Sequence, residues 1–419
     1  AWLTFCLSTP AAHAQLDADA PPVGLTAPPA STAARPAPQL EATVEPERVL
    51  TLDLTRDAND IWDRIRRGFG MPDLDSERVM EQQAFYVNRP RFLKQVFERG
   101  GRYLYYIVDE LERRGMPTEL ALLPMVESNY NPLAYSAAHA SGLWQFIPST
   151  GKYFNLTQDR WVDERRDVIA STNAALDYLQ RIYEMHGDWH LALASYNWGE
   201  GSVKRAIERN LTQGLPAEYS QLRMPAETRK YVPKLQAIKN IVAQPELFGF
   251  ELPYVANELH FVTVEAPTAV DLGTAARLAG LPLEEFIALN PGFNRPAAAA
   301  GRTFVVPADR AQGFEDGLAE LEKSGQGWQT HTLQAGETVE AVAARYGLSS
   351  PDLRQLNALA ANSHPGPGYS LLVPDGIDPS HALEASRLLP FAASAGGRQG
   401  LRAGGGTGVR AAGARRTNN

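Results

Sequence analysis

One carboxylate in this chain is placed for acid–base work. Glu127 ends an apolar run, Leu120-Ala121-Leu122-Leu123-Pro124-Met125-Val126, and Pro117, Thr118 and Glu119 ahead of that run read as a helix start. Glu119 puts early negative charge where it faces the helix dipole. Asn129, Asn131 and Pro132 then break the helix, which leaves Glu127 near its C-terminal end beside apolar surface. Both surroundings disfavour the charged form and raise the pKa, as a general acid working near neutral pH requires. The same spacing also fits an ordinary surface glutamate that ends a buried helix. Further along, Gly142-Leu143-Trp144-Gln145-Phe146 sets two aromatics and an amide beside a glycine. Ala194-Ser195-Tyr196-Asn197-Trp198-Gly199-Glu200-Gly201 and Tyr231-Val232-Pro233-Lys234 add hydroxyls and another amide. As residues alone, Tyr196 and Tyr231 fit core aromatics with satisfied hydroxyls equally well, and Asn197 and Gly199 fit a helix end.

Other chemistries find little footing. The net charge of −8 over 419 residues argues against a nucleic-acid or anionic-membrane partner. His186 and His190 are four apart, but Gly187 and Asp188 interrupt any shared helix face, so no metal site is expected. Gly142 and Gly151-Lys152 lack the spacing of a phosphate loop, and Tyr153 stands where a Ser or Thr is needed. No cofactor is expected, and the single cysteine, Cys6, allows no internal disulfide.

The order Glu127-Ser128, Gly142-Leu143-Trp144-Gln145, Tyr196-Asn197-x-Gly199 and a later lone Tyr231 resembles the goose-lysozyme-like lytic transglycosylases that cleave bacterial peptidoglycan, most closely the membrane-bound type D. The resemblance runs from about Asp60 to Phe250 and implies a lysozyme-like, all-α catalytic domain over 50–250. It further implies cleavage of the MurNAc–GlcNAc β-1,4 bond with formation of 1,6-anhydro-MurNAc ends, Glu127 serving as general acid and then base. Glycosidases usually need two carboxylates, whereas the motif region offers one. Asp159, Asp163 and Glu164 lie in a charged stretch, Asp159 to Asp167, that reads as a solvated loop. The single-acid scheme implied by the resemblance lets the substrate's own acetamido carbonyl stabilise the anomeric carbon. By motif position, Gln145 binds the acetamido group, and Tyr196 and Asn197 hold the substrate and the assisting carbonyl. Tyr231 donates to Glu127, Ser136 lies near the reacting hydroxyl, Ser128 braces the helix end and Trp144 forms a pocket wall.

The elements that must position these residues are helical from Asp60 to about 245. Helices are expected at Ile61 to Phe69, Ser76 to Val87, Pro90 to Arg99, Tyr103 to Arg114 and Asp167 to His186. Three more follow at Trp189 to Tyr196, Ser202 to Asn210 and Glu227 to Val242, with Gly115 and Gly187 as stops and Asp188 as a cap. From Pro253 the pattern changes to strand, two short helices, strand, and then repeats. A shift of 67 residues superposes Gly280-Leu281 on Gly347-Leu348, Leu289-Asn290 on Leu356-Asn357, and Val306-Pro307 on Val373-Pro374. The second copy, 329–374, resembles the LysM module, a small βααβ (α+β) unit that binds N-acetylglucosamine-rich glycans. The matches place its glycan contacts at Gly336, Glu337, Thr338 and Asn357. In the first copy, 258–308, Ala269-Val270-Asp271 replaces the Gly-acid-Thr loop, so it is expected to keep the fold and bind glycan weakly or not at all. Gly313 to Ser324 reads as a linking helix.

Outside these domains, Ala12-His13-Ala14 fits a small-x-small cleavage site after the apolar run Ala1 to Leu7. Residues 1–14 are therefore expected to be the remainder of a signal peptide, with more chain ahead of Ala1. A disordered Ala/Pro-rich leader is expected over 15–48 and a disordered Gly/Ala/Arg tail over 389–419. The expected product is a periplasmic monomer acting on peptidoglycan glycan strands. Lipid anchoring at Cys6, which would bring outer-membrane association, is the lesser reading because Phe5 fits a lipoprotein site badly. Two readings from other classes compete: a lysozyme-type hydrolase that lets water attack, and a non-catalytic LysM cell-wall-binding protein on a helical scaffold. The joint presence of Glu127, Gln145 and Tyr196-Asn197 speaks against the scaffold.

Overall fold

The computed structural model describes residues 59–390. The expected signal segment, the 15–48 leader, Cys6 and nearly all of the 389–419 tail lie outside the described residues. Two compact units emerge, one made of 59–158 with Glu164–Val262 and the other of Asp159–Asp163 with 263–390.

The first unit is helical, and its described residues up to 260 contain no strand beyond isolated bridges such as Ser141–Phe146. Its elements are α1 (Ile61–Arg67), α2 (Glu77–Val87), α3 (Pro90–Arg113), α4 (Leu123–Ser128), α5 (Pro148–Tyr153), α6 (Val168–His186), α7 (Trp189–Trp198), α8 (Glu200–Thr212) and α9 (Thr228–Ala243). Asp167 and Asp188 cap α6 and α7 by accepting backbone N–H bonds, and Gly187 ends α6 in the left-handed region. Pro117 opens a 3-10 turn, Thr118–Leu122, that passes into α4.

Three expectations need correction. The two helices expected at Pro90 to Arg99 and Tyr103 to Arg114 are one 24-residue helix. Gly100 and Gly101 are there for close packing. A Cβ at Gly100 would lie 2.8 Å from the Tyr130 ring, and one at Gly101 3.1 Å from Val255. Glu119, expected only to face the dipole at a helix start, is instead spent on partners distant in the chain. It is fully buried, accepts N–H bonds from Gly70 and Met71, and pairs with Lys239 at 3.2 Å. Nor is the Asp159 to Asp167 stretch a solvated loop, because Asp163, Arg165 and Arg166 are all buried. The Arg165 guanidinium donates to the carbonyls of His139 and Phe146, and the Asp163 N–H donates to Gly292 O at 2.8 Å.

In the second unit the two copies share a frame. The first is β1 (Phe261–Glu265), α10 (Leu272–Leu278), α11 (Leu283–Leu289) and β4 (Thr303–Pro307), with β1 paired to β4. Within it, β2 (Val270–Asp271) and β3 (Ala297–Ala298) form a short extra ladder. After α12 (Ala311–Ser324) come β5 (Gly327–Thr332), α13 (Val339–Arg345), α14 (Ser350–Leu356) and β6 (Ser370–Asp375). Adding 67 to the bounds of α10 and α11 gives those of α13 and α14. A last helix, α15 (Ser380–Leu388), which is not among the elements expected from the sequence, packs on both α10 and α14. Its place is fixed by Gly273, where a Cβ would sit 2.5 Å from His381 O, and by Gln355, whose amide donates to Leu383 O and Ser386 Oγ.

The fit of Gly100 against Tyr130 can be tested. The Tyr130 ring cannot retreat, because it is fully buried and its hydroxyl donates to Ala121 O at 2.7 Å. Overpacking of this kind costs about 1–3 kcal/mol, against about 1 kcal/mol of helix propensity gained by removing glycine. Gly100→Ala should therefore be net destabilising in denaturant unfolding. A stabilised variant would show that α3 has room there.

Candidate active site

Glu127 is held by the way α4 ends. Asn129 and Tyr130 both take left-handed backbone angles, with φ of 52° and 53°, and this stops the helix at Ser128, one residue after Glu127. Burial of Tyr130 then folds the chain back over α4. Glu127 is left half-buried at the helix end, where the Tyr231 hydroxyl of α9 donates to its Oε1. Desolvation is the leading influence on the Glu127 carboxyl and pushes its pKa up from 4.5 to about 7. The Tyr231 hydrogen bond and the Lys234 charge oppose this rise, and the Glu227 carboxylate adds to it. Tyr231 itself is raised well above its ordinary value, first by burial and then by the Glu127 charge, so its proton stays in place.

The Gly142–Gln145 loop is clamped from two sides. Gly142 has φ of 86°, and a Cβ there would lie 2.1 Å from Arg165 O, so only glycine fits. Ser128 Oγ donates to Leu143 O at 2.9 Å and shares its proton with Pro124 O at 3.0 Å. Tyr196 donates to Trp144 O at 2.8 Å, while Trp144 is fully buried and donates to Thr172 Oγ1 at 2.9 Å. Ser128 thus braces the helix end. Trp144 is a core residue whose carbonyl is used, and Tyr196 is a brace whose proton is already committed. Burial and the Glu127 charge also hold the Tyr196 pKa well above its ordinary value.

Two amides keep one free end each. The Gln145 Nε2 donates to Gly142 O at 2.8 Å, which leaves its Oε1 without a partner among the described residues. Thr228 donates to Asn197 Oδ1 at 2.8 Å, which leaves the Asn197 Nδ2 without a partner among the described residues. Ser136 Oγ accepts from Ala140 N at 3.0 Å and braces its own loop. Sequence reasoning missed Thr228, Glu227 and the role of Lys234. Glu227 and Lys234 lie four residues before and three after Tyr231 on α9, the spacing that puts side chains on one helix face, and that signal was available. Glu227 acts electrostatically on both Glu127 and Tyr231. The Asp159 carboxylate instead caps its own turn, and Glu164 accepts from Thr157 N. No cluster able to hold a metal ion occurs among the described residues.

In the second copy of the repeat, Gly336 has φ of 81° and an open surface. Glu337 is tied to His331, Arg345 and the Gln334 N–H, which together lower its pKa, and Thr338 caps α13. Asp271 occupies the position equivalent to Thr338 and caps α10 in the same way, so the degenerate loop keeps its structural duty. Asn357 is corrected from a glycan contact to a latch. It is buried, with its amide donating to Leu372 O and its oxygen accepting from Leu372 N. Asn290 makes the same pair of bonds with Val305, also 67 residues earlier.

Comparison with known proteins follows these boundaries. Residues 105–215 match the model of the transglycosylase SLT domain, 260–323 the LysM-like domain of lytic transglycosylase MltD, and 331–374 the LysM domain. Membrane-bound lytic murein transglycosylase D of Escherichia coli (strain K12) is 35% identical over 331 residues, covering 76% of this chain and 73% of the relative. The chain belongs to this family of lytic transglycosylases. A protein of Alteromonas sp. (strain M-1) named for tributyltin chloride resistance is 42% identical over 162 residues, 38% of this chain and 77% of its own. Membrane-bound lytic murein transglycosylase C of Glaesserella parasuis is 29% identical over 139 residues, 30% of this chain and 38% of its own. Among the described residues no helix is long and apolar enough to cross a membrane.

The geometry has two consequences for stability. A carboxyl whose folded pKa is about 7, against 4.5 unfolded, stabilises the fold only while neutral. That contribution is complete below the unfolded value and is lost as pH rises through about 7. Above that, the charge costs on the order of 3 kcal/mol by linkage. Glu127→Gln should match the parent in thermal stability near pH 5 and exceed it near pH 8; an equal difference at both pH values would refute the elevated pKa. Asn357→Ala should destabilise its module by about 1–3 kcal/mol for each Leu372 group left unpaired, with Leu372 amide exchange accelerated. A glycan contact would instead lose binding with stability intact.

Proposed function

We propose that the helical unit cleaves the MurNAc–GlcNAc β-1,4 bond of peptidoglycan without water, leaving 1,6-anhydro-MurNAc ends. The observation that carries this reading is a half-buried carboxyl with a pKa of about 7, held by a tyrosine hydroxyl that does not titrate. Neutral Glu127 protonates the departing GlcNAc O4 as the C1–O4 bond breaks. The muramic acid acetamido oxygen stabilises C1 meanwhile, with the free Asn197 Nδ2 and Gln145 Oε1 as the groups that orient the acetamido. The C6 hydroxyl then closes on C1, and its proton returns to Glu127, so the enzyme is regenerated. Ser136 would face that hydroxyl from its loop. Tyr231 fixes the carboxyl rotamer for both proton transfers, and Tyr196 and Ser128 hold the Gly142–Gln145 loop.

The LysM copy at 331–374 would hold the glycan strand through the exposed backbone around Gly336 and Thr338. The relatives named as membrane-bound murein enzymes fit export to the periplasm, where the chain would act on glycan strands as a monomer.

Glu127→Gln is expected to lower turnover at least about 100-fold while leaving sacculus binding unchanged. Mass spectrometry of the released muropeptides distinguishes anhydro ends from the reducing ends of a hydrolase, which are one water heavier. Because the protonated carboxyl starts the reaction, turnover should fall as pH rises through about 7. Reducing ends, or a variant within a factor of about 100 of the parent, would overturn the scheme.

A further inference from the structure

The second unit carries a groove of about 530 Å³ that none of the roles above uses. That volume lies in the range of small-molecule sites. Its floor is apolar and includes Phe293, Trp328 and Leu372, all buried. The Trp328 ring is fixed because its Nε1 donates to the buried Asp271 carboxylate at 3.1 Å. The groove does not lie on the Gly336–Thr338 loop. It runs along the faces of β5 and β6, where Gln329, Thr330 and Ser370 supply a polar edge.

Its charge is one-sided. Arg160 and Arg302 line it and no Asp or Glu does, on a chain whose net charge is −8. Both arginines are exposed, and neither forms an ion pair with a carboxylate among the described residues. Arg160 is steadied by aromatic rings, its guanidinium carbon lying 5.0 Å from the centroids of both Trp161 and Tyr369. The segment that carries it is anchored by Asn294, whose backbone N–H donates to Trp161 O and whose side chain donates to Asp159 O. A fixed guanidinium with open donors is suited to bidentate binding of a carboxylate.

We propose that this groove binds the acidic stem peptide of peptidoglycan, an inference that rests on the peptidoglycan reading above. Stem peptides alternate alanine methyl groups with free carboxylates. The methyl groups match the Phe293–Trp328–Leu372 floor, and the carboxylates match Arg160 and Arg302. A bare phosphate would satisfy the arginines and leave the floor unused. A neutral glycan would use the polar edge and leave the arginines unpaired.

The full chain can be titrated calorimetrically with a synthetic L-Ala–D-isoglutamate–diaminopimelate–D-Ala tetrapeptide, with an N-acetylglucosamine tetramer and with inorganic phosphate. The expected result is that the parent binds the peptide and that Arg160→Gln combined with Arg302→Gln weakens this at least about tenfold. Binding of the N-acetylglucosamine tetramer should not change. Arg302→Lys, which keeps the charge and loses the planar fork, should fall between. No peptide binding by the parent, equal binding by the double variant, or phosphate binding as tight as the peptide would overturn the proposal. Release of anhydro muropeptides from sacculi, measured separately, tests the peptidoglycan reading itself. Anhydro products without arginine-dependent peptide binding would remove the groove and leave that reading standing. Arginine-dependent peptide binding without anhydro products would do the reverse.

Discussion

The hydrogen bond from Tyr231 to Glu127 ties α4 to α9, and the rest of the helical unit accommodates a carboxyl group taken largely out of water. Burying an unpaired carboxylate is expensive, and such a group shifts its pKa and stays neutral where it can. Here the nearby charges act in opposite senses, with Lys234 favouring ionisation and Glu227 opposing it, and desolvation exceeds both. An intimate ion pair in place of Tyr231 would have driven the pKa down. A tyrosine whose own proton is locked holds the group in place and lowers the pKa by less than desolvation raises it.

That arrangement needs a helix that ends abruptly, and three packing devices supply the end. Two successive left-handed residues stop α4, Gly100 makes room for the Tyr130 ring, and the Tyr130 hydroxyl reaches back to Ala121. The Gly142 loop is then pressed onto the stopped helix, because Ser128 spans from α4 to Leu143. Non-glycine residues in the left-handed region carry local strain that the surroundings must over-determine. Full burial of Tyr130 is that over-determination.

Much of this was legible in the sequence where the signal was local. The helix cap at Asp188, the stop at Gly187 and the 67-residue offset are short-range or repeated patterns, and the structure follows them. The misreadings share a cause, which is that partners distant in the chain decide the outcome. Gly100 and Gly101 read as a break because glycine disfavours helices, yet their lack of a side chain serves Tyr130 and Val255. Glu119 read as a helix-start acid facing the dipole, while Lys239, 120 positions on, takes it into the core. The roles inside the site were the least legible. Spacing cannot show that the Tyr196 proton is spent on Trp144 O, or that Thr228 fixes which end of the Asn197 amide is free.

The paired asparagines, Asn290 and Asn357, close each small module by stitching a helix end to the final strand. In both copies the stitch is independent of the loop that opens the first helix, which needs only a capping side chain, whether aspartate or threonine. The closure of each module is therefore written apart from its opening loop, within the same few dozen residues. After duplication, one copy is free to drift in what it recognises, down to recognising nothing, without endangering its shape. A tandem built this way can turn one member into a spacer or a new receptor by changing a handful of loop residues.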